Sequence, residues 1–229
     1  MNSFSWSKSV QKKWDKQAVE WNEKSKEMWN AGSRSGILPF FQTYVSEGAT
    51  ILDAGCGDGY GSFYFSNNGY RVYGVDISTQ MIEYADTRTH HAKLSFIQAD
   101  IAALPYETET FDAIIAVNSL EWVERPLVVL RELKRVLKPE GYICVAILGP
   151  TAAPRVNSYR RLYEESVVCN TMMPWEFEML AKENGFSIVD GKGVYKRDVD
   201  EELIEDLPHT LKQALSFMWI TMLQYNKEH

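Results

Sequence analysis

Apolar positions change period along this chain, and the change outlines its architecture. Over 10–30, Trp14, Ala18, Trp21 and Met28 recur at helical spacing opposite a face of Lys, Glu and Gln, which predicts an amphipathic helix. Ala31-Gly32-Ser33-Arg34-Ser35-Gly36 interrupts it as a flexible joint, and a second helix is expected over 37–45. From residue 49 short apolar runs alternate with helical stretches. Strands are predicted at 50–54, 71–75, 94–98, 113–117 and 142–148, with helices through Phe65 and over 78–88 and 127–137. Strand–helix units of this length imply an α/β fold with a doubly wound, mainly parallel sheet, whose ligands sit beyond the carboxyl ends of the strands.

The segment 151–173 breaks the alternation. Pro174 then opens a helix closed by Asn184-Gly185, and a strand follows from Phe186. The C-terminus reads two ways. Leu207, Leu211, Leu215, Met218 and Met222 follow helical spacing, whereas 217–225 is β-prone enough to be a strand.

At the end of the first predicted strand stands Asp53-Ala54-Gly55-Cys56-Gly57-Asp58-Gly59, an apolar run emptying into alternate glycines and a helix N-terminus. Glycine lets backbone approach a ligand closely, and free N–H groups at a helix start favour a negative group. A dinucleotide fingerprint, Gly-x-Gly-x-x-Gly, fails here: its third glycine falls on Tyr60 counted from Gly55 and on Ser62 counted from Gly57. Asp76, at the end of the second strand, could accept from both hydroxyls of a ribose or cap the next helix; Ser78 and Thr79 are available as caps, which favours the ribose role.

Composition narrows the function. With 45% apolar and 24% charged residues in 229, the chain suits one large globular domain or a domain with a cap. A net charge of −7 argues against nucleic acid as a partner. Three cysteines without a CxxC pairing fit a reducing cytoplasm, no apolar run is long enough to span a membrane, and no metal-ligand spacing occurs. His90 and His91 read as a surface helix terminus.

Asp53-x-Gly55-x-Gly57-x-Gly59 resembles the first motif of the class I S-adenosylmethionine (SAM) dependent methyltransferases, of the type 11-like small-molecule group. Asp76-Ile77 is similar to the second motif, with Met81 a further adenine wall, and Ala99-Asp100-Ile101 to the third. The run from Phe111 to Pro126, with Asn118 and Glu121, resembles the fourth, whose end faces the reacting methyl; Leu133 to Tyr142 resembles the family's helix–turn–strand signature. The resemblance covers 51–148 and implies SAM as cofactor, S-adenosylhomocysteine as product, and Asp53, Gly55, Cys56, Gly57, Gly59, Asp76, Ile77, Met81, Asp100, Ile101 and Asn118 as its contacts. It also implies a segment over 150–173 inserted on the substrate side.

The expected organisation is an N-terminal helical lid over 1–36 and a SAM-binding domain over 37–229. The indoles of the first helix either pack it down or roof a ligand. Acceptor-pocket candidates are Trp14, Trp21, Trp122, Tyr159 and Tyr163; no catalytic residue is identified, and Asn118 and Glu121 are the catalytic candidates nearest the expected site. Arg34 reads as a solvated joint residue, although it could reach the carboxylate of a bound amino acid. The expected activity is methyl transfer to a small molecule by a monomer or homodimer. The alternative is a SAM-binding regulatory or scaffold protein without turnover.

Overall fold

The computed structural model describes residues 4–89 and 93–226, so His90 and His91 lie outside the described residues. The chain opens with α1 (Trp6–Asn30) and α2 (Ile37–Gln42). The alternation follows as β1 (Thr50–Ala54), α3 (Tyr60–Asn67), β2 (Arg71–Asp76), α4 (Thr79–Asp86), β3 (Leu94–Gln98), β4 (Phe111–Val117), α5 (Pro126–Val136) and β5 (Leu137–Leu148). Then come α6 (Val156–Tyr159), α7 (Pro174–Glu183), β6 (Phe186–Val194), α8 (Glu201–Ile204), α9 (His209–Leu215) and β7 (Met218–Tyr225).

The strands form one seven-stranded sheet in the order β3-β2-β1-β4-β5-β7-β6. β1 to β5 pair in parallel, while β7 runs antiparallel to both β5 and β6. Helices cover both faces, so Ile51, Leu52, Ile114, Ile115 and Val145 are wholly buried and the central strands read as unbroken apolar runs. One core layer gathers around α5 and α7 through Leu130, Leu133, Phe177 and Ala181. The other gathers around α2 and α3 through Phe41, Phe65 and Tyr70.

The C-terminal ambiguity resolves in favour of the strand. The helical run stops at Leu215 because Ser216 turns extended (φ −73°, ψ 147°), and Met218 to Gln224 pair with Leu148 to Tyr142. Alternate side chains Met218, Ile220 and Met222 enter one core layer and Leu223 the other, which is the two-residue period of a strand. β5 also starts earlier than its apolar pattern: Leu137 already pairs with Phe111, and a bulge passes Glu140 at φ 59° before pairing resumes at Tyr142.

In α1 the buried positions are Val10, Ala18, Ser25 and Trp29. The stripe therefore reaches the core at Trp29 and not, as the spacing suggested, at Met28, which is half-buried. The helix lies across α3 and α4. A polar clasp fastens it: Asp58 Oδ2 accepts from Ser25 Oγ at 2.6 Å and from Arg88 at 2.8 Å, and Arg88 also donates to Asn22 Oδ1 at 2.7 Å.

Candidate cofactor and acceptor site

A cleft with about 1050 Å³ of empty space, its open mouth included, lies beyond the carboxyl ends of β1, β2 and β4. Its floor is the turn after β1, where Gly55 and Gly57 take positive φ (84° and 56°). The N–H groups of Gly55 and Cys56 both donate to the Val75 carbonyl, at 2.8 and 3.0 Å, which ties the turn to the tip of β2. A Cβ on Gly55 would stand 2.4 Å from Ser119 Cβ, and one on Gly57 would stand 3.3 Å from Trp21 Nε1. A side chain at position 55 would overlap Ser119, and one at position 57 would crowd Trp21 on the cleft wall.

Two carboxylates face this floor. Asp76 Oδ2 accepts from Gly57 N–H at 2.9 Å and Oδ1 from Ser78 N–H at 2.9 Å, so the acid is aimed by the backbone on both sides. Burial pushes its pKa up to about 6, against the pull of the backbone N–H groups of Ser78, Gly57 and Ile77. The cap of α4 is Ser78, whose Oγ accepts from Met81 N–H at 3.1 Å, so Asp76 is free of that duty. Asp100 Oδ1 accepts from Ala102 N–H at 2.9 Å, and its Oδ2 takes the hydroxyl of Ser7, from α1, at 3.1 Å.

The roof is aromatic. Trp14 meets Trp21 and Trp122 edge to face, with ring centroids 5.3 and 5.1 Å apart, and Trp6 Nε1 donates to the Trp122 carbonyl at 2.6 Å. Arg34 lies under this roof. It is 7% exposed, its guanidinium is 4.8 Å from the Trp21 ring and 5.7 Å from that of Trp29, and it donates to Asn118 Oδ1 at 3.4 Å. Burial lowers its pKa to about 10, with Asp53, Asp58 and Glu121 pulling the other way, so it stays charged at neutral pH. No carboxylate pairs directly with it among the described residues. A buried cation in this position is costly unless an anion joins it. The expectation of a solvated arginine was wrong because a turn (Ile37 N–H to Arg34 carbonyl, 3.1 Å) folds the joint inward.

The cleft brings together Gly55, Cys56, Gly57, Asp76, Ile77, Met81, Asp100, Ile101, Asn118, Trp14, Trp21 and Trp122. Other sequence candidates stand elsewhere. Asp53 is buried beneath the turn, where its Oδ2 accepts from Ser62 Oγ at 2.6 Å and burial raises its pKa to about 7; it anchors α3. Gly59 makes room for packing, since a Cβ there would meet Phe96 and Ala85 at 2.6 and 2.7 Å. Glu121 is fully buried behind the wall, with Oε1 on Leu148 N–H at 2.5 Å. Tyr159 and Tyr163 are 42% and 60% exposed and face one another outside the cleft, because the post-β5 segment turns its aromatic face to solvent.

Trp6, Ser7, Val10 and Ser119 line the cleft without having been singled out. Trp6 and Val10 continue the four-residue spacing of Trp14 and Ala18 toward the N-terminus, so extending the stripe would have found them. Ser119, whose buried Oγ has no partner, carries no such signal.

Comparison with known proteins bears on this cleft. Residues 52–145 match a family model described as a methyltransferase domain. That stretch of the chain carries a methyltransferase domain. Over 128 residues it is 32% identical to a malonyl-[acyl-carrier protein] O-methyltransferase of Enterobacter lignolyticus, covering 56% of this chain and 50% of the relative. Over 99 residues it is 36% identical to a fatty-acid O-methyltransferase of Mycolicibacterium smegmatis, covering 42% and 36%. The chain thus spans half or less of these relatives. A methyltransferase solved in complex with the Trm112 methyltransferase activator of Haloferax volcanii shares the fold, with a TM-score of 0.73 over 96% of this chain and 99% of that one at 20% identity.

The cofactor implied by the methyltransferase domain is SAM, and the cleft suits it. The floor carries no side chain at Gly55 or Gly57, Asp76 and Asp100 face it, and Arg34 offers a positive charge with no directly paired carboxylate among the described residues. No described helix is long and apolar enough to cross a membrane, and no three potential metal ligands gather among the described residues.

Proposed function

We propose that this protein transfers the sulfonium methyl group of SAM to a small acceptor seated against Trp6, Trp14 and Trp122. The observation that carries the reading is the convergence of a bare glycine floor, two strand-tip carboxylates and a buried, unpaired arginine on one indole-roofed cleft. Asp76 would hold the ribose hydroxyls, Asp100 the adenine amino group, and Arg34 the aminoacyl carboxylate. Bound SAM supplies a methyl group on a sulfonium, whose departure needs no acid. The chain's part is to orient and to exclude water, and in-line positioning of this kind is worth roughly 7–11 kcal/mol in favourable systems. α1 acts as the lid, since the same helix carries Trp14, Trp21 and Ser7 over the cleft.

Two relatives are named for malonyl-[acyl-carrier protein] and for fatty acids, and this supports trying carboxylate acceptors first. An ionised carboxylate is already a nucleophile, and Trp and Val walls suit an acyl chain. Calorimetry with SAM and with NAD, followed by incubation with fatty acids, acyl thioesters, phenols and amines, tests the reading. SAM binding and release of S-adenosylhomocysteine with an acid acceptor are expected. NAD binding without SAM binding would overturn it.

A further inference from the structure

The segment after β5 leaves Tyr159 and Tyr163 outside the cleft, but further along it reaches the indole wall from behind. Val168 and the buried Cys169 pack in one cluster with Trp122, Val10, Trp6 and Trp14. Trp122 is thus held between α1 and this segment. Trp14 meets its ring edge to face, and Lys13, 5.5 Å over the same ring, donates to Asn157 Oδ1 of α6 at 2.7 Å.

Asn170 bonds to the backbone of the short turn that carries this indole. The turn runs Leu120–Trp122 and ends where Val123 becomes extended (φ −90°, ψ 147°). Asn170 Nδ2 donates to the carbonyls of Leu120 and Val123, at 2.7 and 2.9 Å, and its backbone N–H donates to the Glu121 carbonyl at 2.9 Å. Its Oδ1 accepts from Met172 N–H at 3.0 Å, so the amide is used at both ends. An aspartate at this position would have no hydrogen to give, and a leucine would offer neither donor nor acceptor.

The next residue carries the strain of this arrangement. Thr171 takes φ 60°, a left-handed conformation that a β-branched residue adopts rarely and that persists only where surrounding contacts impose it. Arg155 supplies one such contact by donating to the carbonyls of Met172, Leu148 and Gly149, which ties the strained stretch to the end of β5. A loop that only joined β5 to α7 would not need that backbone. Its effect here is to let one residue hold three carbonyls around Trp122.

We propose that Asn170 is a positioning residue for the methyl acceptor: it sets the Leu120–Trp122 turn, and with it the indole against which the apolar part of the acceptor lies. The proposal rests on the reading of Trp6, Trp14 and Trp122 as the acceptor wall. Asn170 is not among the residues that line the cleft, so it acts through Trp122 alone.

The probe is decanoate, a fatty acid, titrated by calorimetry into protein saturated with S-adenosylhomocysteine, so that no turnover is required. Asn170→Ala should weaken decanoate about tenfold and leave the affinity for S-adenosylhomocysteine within about twofold, because a displaced indole loses the chain while the glycine floor and strand tips stay in place. Trp122→Ala should show the same selective loss. The double variant should lose no more than Trp122→Ala, since Asn170 then has no ring to place.

Equal losses for both ligands, or a lower Tm with both affinities unchanged, would make Asn170 a loop anchor only and overturn the proposal. So would multiplicative losses in the double variant. Should Asn170→Ala unfold at the assay temperature, Asn170→Ser is titrated instead, with a smaller loss of the same selectivity expected and a non-selective loss counting against. A wild-type protein that binds S-adenosylhomocysteine but not decanoate would sink the acid-acceptor reading and this one together. Wild-type binding of both ligands, with variants that bind both equally well, would sink this one alone.

Discussion

At the scale of single residues, the cleft works by aiming carboxylates with backbone. Asp76 receives two N–H bonds from the loops it faces, so its oxygens point where the chain puts them. Its pKa of about 6 has a direct consequence. Only the ionised form accepts from both ribose hydroxyls, so SAM affinity should fall as pH drops from 7.5 through about 6, and Asp76→Asn should remove that dependence. Calorimetry across the pH range reads both effects, and a flat wild-type profile would show that Asp76 does not hold the ribose. Asp53 and Asp76 look alike in sequence, each an acid at the end of an apolar run. They differ because Ser62 and the turn close over Asp53 while Asp76 keeps a face on the cleft.

Among the elements, α1 does two jobs on one stripe. Trp29 is buried against Phe65 and so tightly on Gly61 that a Cβ there would lie 2.4 Å from its ring. Trp21 is half-buried and faces the cleft floor. Trp29→Ala should therefore cost about 3–5 kcal/mol of stability, as for a large core truncation. Trp21→Ala should cost much less stability and weaken SAM binding instead. Thermal melting and titration of the pair separate the roles, and equal melting losses with equal SAM affinities would make the whole helix packing. The clasp on Asp58 belongs to the same element: Asp58→Ala leaves Ser25 and Arg88 without their shared partner and should destabilise by about 3 kcal/mol, read from denaturant unfolding. Period and spacing could place the stripe but not divide it, because the division depends on what each turn of the helix lies over.

For the molecule as a whole, a ligand that binds only the folded chain must stabilise it. SAM at about 100 times its Kd should add about 2.7 kcal/mol and raise Tm by several degrees, with NAD at the same concentration leaving it unchanged. A Tm rise with NAD alone would point away from the methyltransferase reading. Much of this fold was legible from residues near one another in the chain. The strand–helix alternation, the Gly55-x-Gly57 floor and the acids at the tips of β2 and β3 are local features, because apolar period, glycine backbone freedom and helix termini act over a few residues. Tertiary structure alone decided the rest. It made 218–225 a strand by pairing it with β5, turned Arg34 inward beneath two indoles, withdrew Glu121 behind the wall and left Tyr159 and Tyr163 outside it. Each of these depends on which distant surface a segment meets, and a side chain's burial is a property of that meeting rather than of its neighbours in sequence.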